Sequence, residues 1–314
     1  MLARIRVLVL SLTLVGPEFG SVALAEDPPE FLLKWGGRGS GDGDFDGPAG
    51  IAVDSSGYVY VADNLNHRVQ KFTAHGEFVT KWGTEGLGDG QLYLPKGIAV
   101  DKSGVVYVAE YGNRRVQKFT SDGGFLGYLV IWDFQRAWGV AVDESNNVFV
   151  TSPDGRGVFT FSSTGVPLTS WGTPGTGDGQ FVAPSGIAVD ANGYVYVSDI
   201  INDNVQKFTS DGVFVDRWSD AAIVEPPGVA VDTNGHIYVT CSSNRVLKCT
   251  SDGVIVSAWG AGGSENGEFY YPHGIATVGN LVYVVDGINC RIQKFGYPVS
   301  VQSETWGQVK TKYR

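Results

Sequence analysis

A five-residue signature, Pro-x-Gly-[Ile/Val]-Ala, starts at Pro48, Pro95, Pro184, Pro226 and Pro272, and its recurrence limits what this chain can fold into. A degenerate sixth copy reads Ala137-Trp138-Gly139-Val140-Ala141. The aligned glycines are Gly50, Gly97, Gly139, Gly186, Gly228 and Gly274, spaced 47, 42, 47, 42 and 46 residues apart. A period of roughly 45 residues is that of a four-stranded propeller blade.

The first full unit, Pro48 to Trp82, divides into four short segments. These are Gly50–Val53, Tyr58–Ala62, Arg68–Phe72 and Phe78–Trp82. Val, Ile, Tyr and Phe fill the segments, and Gly, Asn, Asp and Ser fill the gaps, which reads as strands and turns. A lone sheet of this kind has two apolar faces and cannot cover both, so it needs copies alongside. The sixth repeat ends after three strands, at Arg291–Phe295. Its missing fourth stands at the other end as Phe31-Leu32-Leu33-Lys34-Trp35-Gly36, matching Phe78–Gly83. The expected fold is all-β: a six-bladed β-propeller of four-stranded blades, with the N-terminal strand completing the last blade. Closure of this kind leaves only short, protected edges.

The first 25 residues read as a secretory signal, with Arg4 and Arg6 before the apolar run Val7–Val15 and an A-x-A site at Ala23-Leu24-Ala25. The run is too short to span a bilayer, which takes about 20 residues. The expectation is an exported chain, periplasmic, cell-surface or extracellular, with one domain over 26–296 and a tail over 297–314. In the tail Trp306, Val309 and Tyr313 have helical spacing beside Lys310, Lys312 and Arg314. No transmembrane segment is read, and a monomer is expected. The net charge of −10 is ill suited to nucleic acid, whose binding depends on phosphate neutralisation.

Among the three cysteines, Cys249 stands where Phe72 stands in the first repeat and reads as a buried apolar residue. Cys241 and Cys290 fall in equivalent turns of neighbouring blades, and export leaves a disulfide between them open.

The first hairpin of each repeat carries Asp-x-x-Gly or a variant: Asp54–Gly57, Asp101–Gly104, Asp190–Gly193 and Asp232–Gly235, with Asn147 for Gly in repeat three and Thr277 for Asp in repeat six. Gly supplies positive φ and Asp bonds the turn amides, so these carboxylates are turn chemistry. The second hairpin carries Asp63-x-x-Asn66-x-Arg68-Val69-Gln70-Lys71-Phe72, with relatives at Glu110/Asn113/Arg115, Asp286/Asn289/Arg291 and Asp199/Asn202. It reads as a carboxylate–arginine pair across the turn. Long Gly/Asp-rich connections occupy Gly36–Asp46, Gly83–Leu94, Gly172–Ala183 and Gly260–Tyr271.

The unit Pro-x-Gly-Ile-Ala-Val-Asp…Val-Tyr-Val-Ala-Asp-x-x-Asn-x-Arg-Val-Gln-Lys-Phe resembles the NHL repeat, over about residues 31–295. The resemblance implies a six-bladed propeller closed by strand exchange between the termini. Members of the family include protein-binding and RNA-binding modules and a zinc-dependent peptidyl-hydroxyglycine lyase. The lyase branch holds zinc with channel histidines, two of them in Pro-His pairs. Here only Pro272-His273 matches, and the other ring positions are Ala49, Lys96, Trp138, Ser185 and Pro227. A catalytic zinc needs about three protein ligands, so no metal or other cofactor is expected. Asp42-Gly43-Asp44-Phe45-Asp46-Gly47 imitates the start of a calcium loop, but its twelfth position is Val53 and a strand follows. The RNA-binding face of the relatives is acidic here, and a ubiquitin-ligase role would need a Cys/His cluster that is absent.

The reading is a non-enzymatic scaffold that binds a protein, peptide or glycan, with no nucleic acid. Its site is expected on the face of second-hairpin turns and blade-to-blade loops. There Leu65, Tyr111, Ile200, Ile201 and Ile288 lie in turns, and Lys96, Trp138 and His273 line the channel mouth near Tyr93, Tyr270 and Tyr271. The alternative is a metal-dependent lyase or hydrolase centred on the channel.

Overall fold

The computed structural model describes residues 25–129 and 136–298. Residues 1–24 of the expected signal segment and 299–314 of the expected tail lie outside them.

Six four-stranded antiparallel sheets form the blades, the first five running in chain order from channel to rim. Blade one is Pro48–Val53, Val59–Asp63, Arg68–Phe72 and Phe78–Trp82. Blades two to five begin at Pro95, Val140, Pro184 and Val229, and their outer strands end at Leu129, Trp171, Trp218 and Trp259. Blade six has Pro272–Val278, Leu281–Asp286 and Arg291–Gly296, and its outer strand is Glu30–Trp35. Phe31 pairs with Phe295 and Trp35 with Ile292, across a bulge between Phe31 and Leu33. Blade one has the same bulge, so the N-terminal strand copies an ordinary fourth strand.

The six apolar clusters lie between blades. One, for example, joins Tyr60, Ala62 and Val69 of blade one to Ile98, Val106 and Phe119 of blade two. Each blade therefore covers its neighbour's face, which is how the sheets bury both sides. Five of the largest buried side chains are the second-strand tyrosines Tyr60, Tyr107, Tyr196, Tyr238 and Tyr283. The first-hairpin aspartates satisfy four of their hydroxyls, at 2.8 Å for Tyr60 to Asp54 and 3.2 Å for Tyr107 to Asp101. The same aspartates accept turn amides, such as Ser56 and Tyr58 N–H onto Asp54 at 2.9 Å. In blade six the register places Val278, rather than the expected Thr277, where the aspartate stands, and the buried Tyr283 hydroxyl has no partner.

The repeating glycine has a steric cause. A Cβ on Gly50 would lie 2.4 Å from the Lys96 carbonyl, and one on Gly139 2.3 Å from that of Ser185. Around the ring the last such contact is Gly274 against the Ala49 carbonyl at 2.4 Å, which joins blade six to blade one. The innermost strands thus touch backbone to backbone, as only glycine allows.

On the opposite face, four third-strand lysines reach the outer turn of the next blade. Lys71 meets Asp122 at 3.0 Å, and Lys118, Lys207 and Lys294 meet the carbonyls of Ser163, Ser251 and Ala74 at 3.5, 3.1 and 2.8 Å. Lys248 of blade five has no such turn to reach, because the third and fourth strands of blade six are not consecutive. It pairs with the Glu26 carboxylate at 2.5 Å, and Glu26 N–H donates to the Val256 carbonyl at 2.9 Å. A cavity of about 290 Å³ beside Lys248 and Tyr297 marks the place of the absent turn.

Candidate functional site

The second-hairpin motif does two jobs. Arg68 Nε donates to Asp63 at 2.7 Å, the expected pair, and both side chains are buried. The rest of its guanidinium turns to the preceding connection and donates to the carbonyls of Ser40, Gly41 and Asp44 at 2.7–2.8 Å. Asn66 holds the Gly39 carbonyl, and Gln70 holds the Asp44 carbonyl and the Gly43 N–H. The pattern repeats at Arg115 and Arg291. The motif is therefore a clamp on the Gly/Asp-rich loop, a role the sequence reading missed. Its signal was present: the long connections run into the blades that carry the motif, and blade three, which lost both Asp and Arg, follows a different one.

The clamp also bears on the calcium-like segment 42–47. Its Asp44 carbonyl faces a guanidinium, while Asp42 pairs with Lys81 and Asp46 with Arg38. Among the described residues no group of three or more His, Cys, Asp or Glu is placed to hold a metal.

The channel mouth is built from the residues that precede the glycines: Ala49, Lys96, Trp138, Ser185, Pro227 and His273. The space they leave is about 70 Å³. Trp138 of blade three and His273 of blade six stand on opposite sides of the ring. Their rings lie nearly parallel, 6.2 Å apart at 17°. Tyr111 meets the indole edge-on at 5.5 Å, and Lys96 Nζ lies 5.0 Å from its centre. Tyr271 flanks His273 at 6.4 Å. Arg136 hydrogen-bonds the Tyr111 hydroxyl, lies 4.6 Å over its ring and pairs with Asp154 at 3.3 Å. The indole therefore spans the mouth. The structure brings together Lys96, Trp138, His273 and Tyr111. It adds Arg136, through the Tyr111 hydroxyl.

Burial, reinforced by the Lys96 charge, holds His273 down at about 3, against a smaller opposing hydrogen bond with the Ala49 backbone. The imidazole is neutral at physiological pH. Burial also lowers Lys96. Ser185 is occupied in the wall, where its hydroxyl bonds Ser198 and the Pro226 carbonyl, both at 3.0 Å. One neutral imidazole, an ammonium and an indole do not fit a zinc site of the lyase kind, and no step through a metal is derived.

Around the mouth, Leu65, Ile201 and Ile288 are 51%, 63% and 56% exposed. Tyr111 and Ile200 are half-buried, Tyr111 against Trp138 and Arg136. Tyr93 and Tyr270 are exposed, Tyr93 stacked on His67 at 5.2 Å.

All three thiols are free and buried. Cys241 and Cys249 share the core between blades four and five, whereas Cys290 lies in the core between blades six and one. A disulfide between Cys241 and Cys290 is thus not formed, because those turns face different cores. Among the described residues there is no helix long and apolar enough to cross a membrane.

The NHL repeat family profile matches residues 45–72, 92–119 and 269–295. Among curated proteins, the chain is 43% identical over 51 residues to Protein lin-41 of Caenorhabditis elegans and 40% identical over 50 residues to E3 ubiquitin-protein ligase TRIM71 of Rattus norvegicus. Each match takes in 16% of this chain but only 4% and 6% of the relative, so the chain spans a small part of their length. Among solved structures, virginiamycin B lyase from Staphylococcus aureus is similar with a TM-score of 0.59 at 17% identity, over 79% of this chain and 80% of that one. XC5397 of Xanthomonas campestris, described as a gluconolactonase, has a TM-score of 0.64 at 17% identity, over 90% and 99%. Luciferin-regenerating enzyme has a TM-score of 0.62 at 13% identity, over 81% and 92%. At these identities the likeness is one of fold.

Proposed function

We propose that this chain, a six-bladed propeller in which the NHL repeat profile matches three stretches, is an exported, non-enzymatic scaffold that binds a protein, peptide or glycan through its loop face. The observation that carries this is the set of exposed apolar side chains at Leu65, Ile201 and Ile288, one each from blades one, four and six, around an indole-capped mouth. Apolar groups gathered on one face are a mark of contact surfaces. The loops beneath them are clamped by buried arginines, so a partner meets a face that is already ordered. Ordered surfaces lose less conformational entropy on binding. Export rests on the A-x-A site and the apolar run before it.

The test is capture of envelope proteins and glycans by purified protein, compared with a Leu65→Asp, Ile201→Asp, Ile288→Asp variant. Loss of capture with unchanged unfolding midpoint supports the surface. Capture that survives in the folded variant refutes it.

The alternative of lyase or hydrolase chemistry in the channel draws on the enzymes among the fold neighbours, whose identity to this chain is 13–17%. Stoichiometric zinc or calcium in the purified protein, measured by mass spectrometry of bound metals, would favour it over the scaffold.

A further inference from the structure

We infer that the channel mouth binds the carboxylate of a ligand, with Lys96 as the counter-ion and the Trp138 indole as the apolar wall beside it. This deepens the scaffold reading and rests on it for the face from which the ligand enters.

The geometry isolates one positive charge. Four guanidiniums of this face each have a carboxylate: Arg68 has Asp63, Arg115 has Glu110, Arg291 has Asp286 and Arg136 has Asp154. Lys96 has none among the described residues. It is half-buried and lies over an indole face, a contact that attracts a cation but does not neutralise it. A partly desolvated charge without a counter-ion is costly, and removing a counter-ion from such a charge is more costly still. Seen from the other side, an arriving anion recovers that cost. His273, stacked on the indole, is neutral, so the charge of the ring rests on Lys96 alone.

Size and surroundings narrow the ligand. About 70 Å³ is left at the ring, too little for a whole molecule, so only an end group enters. The remainder must lie on the face outside, against the exposed apolar side chains. That face also carries Asp42, Asp46, Glu85, Glu225 and Glu265. Such carboxylates repel a polyanion while tolerating one charge at the centre. The fitting class is therefore a molecule with a single terminal carboxylate, which a peptide C-terminus and an acidic sugar both provide.

The experiment is a titration followed by NMR of the Trp138 indole N–H, assigned with Trp138→Phe. The probes are N-acetylglycine, glucuronate and the neutral control N-acetylglycinamide. We expect saturable binding of at least one acid, with the amide weaker by about tenfold or more. Lys96→Met should abolish the preference for acid over amide, and Lys96→Arg should keep it within about threefold. An unshifted indole resonance in unliganded Lys96→Met would show the mouth still assembled. Stronger binding of N-acetylglycine assigns a peptide terminus, and stronger binding of glucuronate an acidic sugar. No saturable binding of either acid, equal binding of acid and amide, or an unchanged preference in Lys96→Met would overturn the inference. The scaffold reading fails separately, by partner capture that ignores the Leu65, Ile201 and Ile288 changes, and that variant should still bind N-acetylglycine.

Discussion

Trp138 and His273 face one another across the channel, 6.2 Å apart and 17° from parallel, although they come from blades on opposite sides of the ring. The stack ties blade three to blade six without a backbone contact, and it covers one face of the imidazole. That seclusion has a thermodynamic signature.

In the folded protein His273 stays neutral down to about pH 3. In the unfolded chain it protonates near about 6.5. Between these values the unfolded state binds the extra proton, so stability falls as pH drops from about 6.5 toward 3. By pH 5 this one group accounts for a loss of about 2 kcal/mol. Denaturant unfolding of wild type and His273→Gln at several pH values measures it, and the variant should lose less stability between pH 6.5 and 5. Identical slopes would place His273 in water.

The glycine girdle predicts a contrast between two Gly→Ala changes. Gly139→Ala puts a methyl 2.3 Å from the Ser185 carbonyl, where neither backbone can retreat without moving a blade. We expect failure to fold or a loss of more than about 3 kcal/mol. Gly193→Ala meets nothing within 4 Å and carries only the strain of φ +82°, so about 1–2 kcal/mol is expected. Thermal midpoints of the two proteins decide this.

The loop clamp makes Arg68 worth more than a turn ion pair. Arg68→Met leaves Asp63, fully buried, without its cation and frees the carbonyls of Ser40, Gly41 and Asp44. A loss of about 3–5 kcal/mol is expected. Arg115→Met should cost less, since Arg115 is the more exposed of the two. Amide exchange should rise across 37–46 in the first variant and across 84–92 in the second, and exchange confined to the hairpin itself would contradict the clamp.

Closure of the ring is testable by removal. Deleting Phe31–Gly36 bares the Arg291–Gly296 edge, and aggregation or a large drop in stability should follow, read by size-exclusion chromatography. Glu26→Ala leaves the strand in place and removes only the carboxylate that Lys248 meets, so a loss of about 1 kcal/mol is expected. A deletion variant that stays monomeric and equally stable would refute the closure.

The thiols give a simple count. Burial raises Cys241 to about 11 and Cys249 to about 12. Thiolates are the reactive form, so a thiol reagent should find no reactive cysteine in the folded protein and three after unfolding. A count of one after unfolding would mean a disulfide.

Repeat number, strand spans and strand exchange were legible because periodicity and turn residues encode them directly: Arg68–Phe72 and Phe78–Trp82 stand where the spacing put them. Lys96, Trp138 and His273 were legible as a ring because each precedes an aligned glycine. Their mutual geometry was not, since spacing says which residues head the inner strands but not that one indole spans the channel. The clamp escaped because Arg68 and its carbonyl partners are 24–28 residues apart, and a pair motif within one hairpin already explained the arginine. Tyr111 and Ile200 were legible as turn residues, and turns are usually open, but spacing does not show the neighbours that half-bury them. At the mouth Tyr111 packs against Trp138 and Arg136.

The meeting of the chain's two ends in blade six also decides how the domain can bear load. Glu30 and Gly296 are Cα partners at one end of an antiparallel pair, on the side of the propeller away from the candidate site. Anything joined before Glu30 or after Gly296 hangs from that side and leaves the loop face unobstructed. Tension drawn between the two joints peels the outer strand from Gly296 toward Ile292 one pair at a time, instead of shearing the whole ladder. The clasp that completes the ring is thus also the place where pulling would open it first.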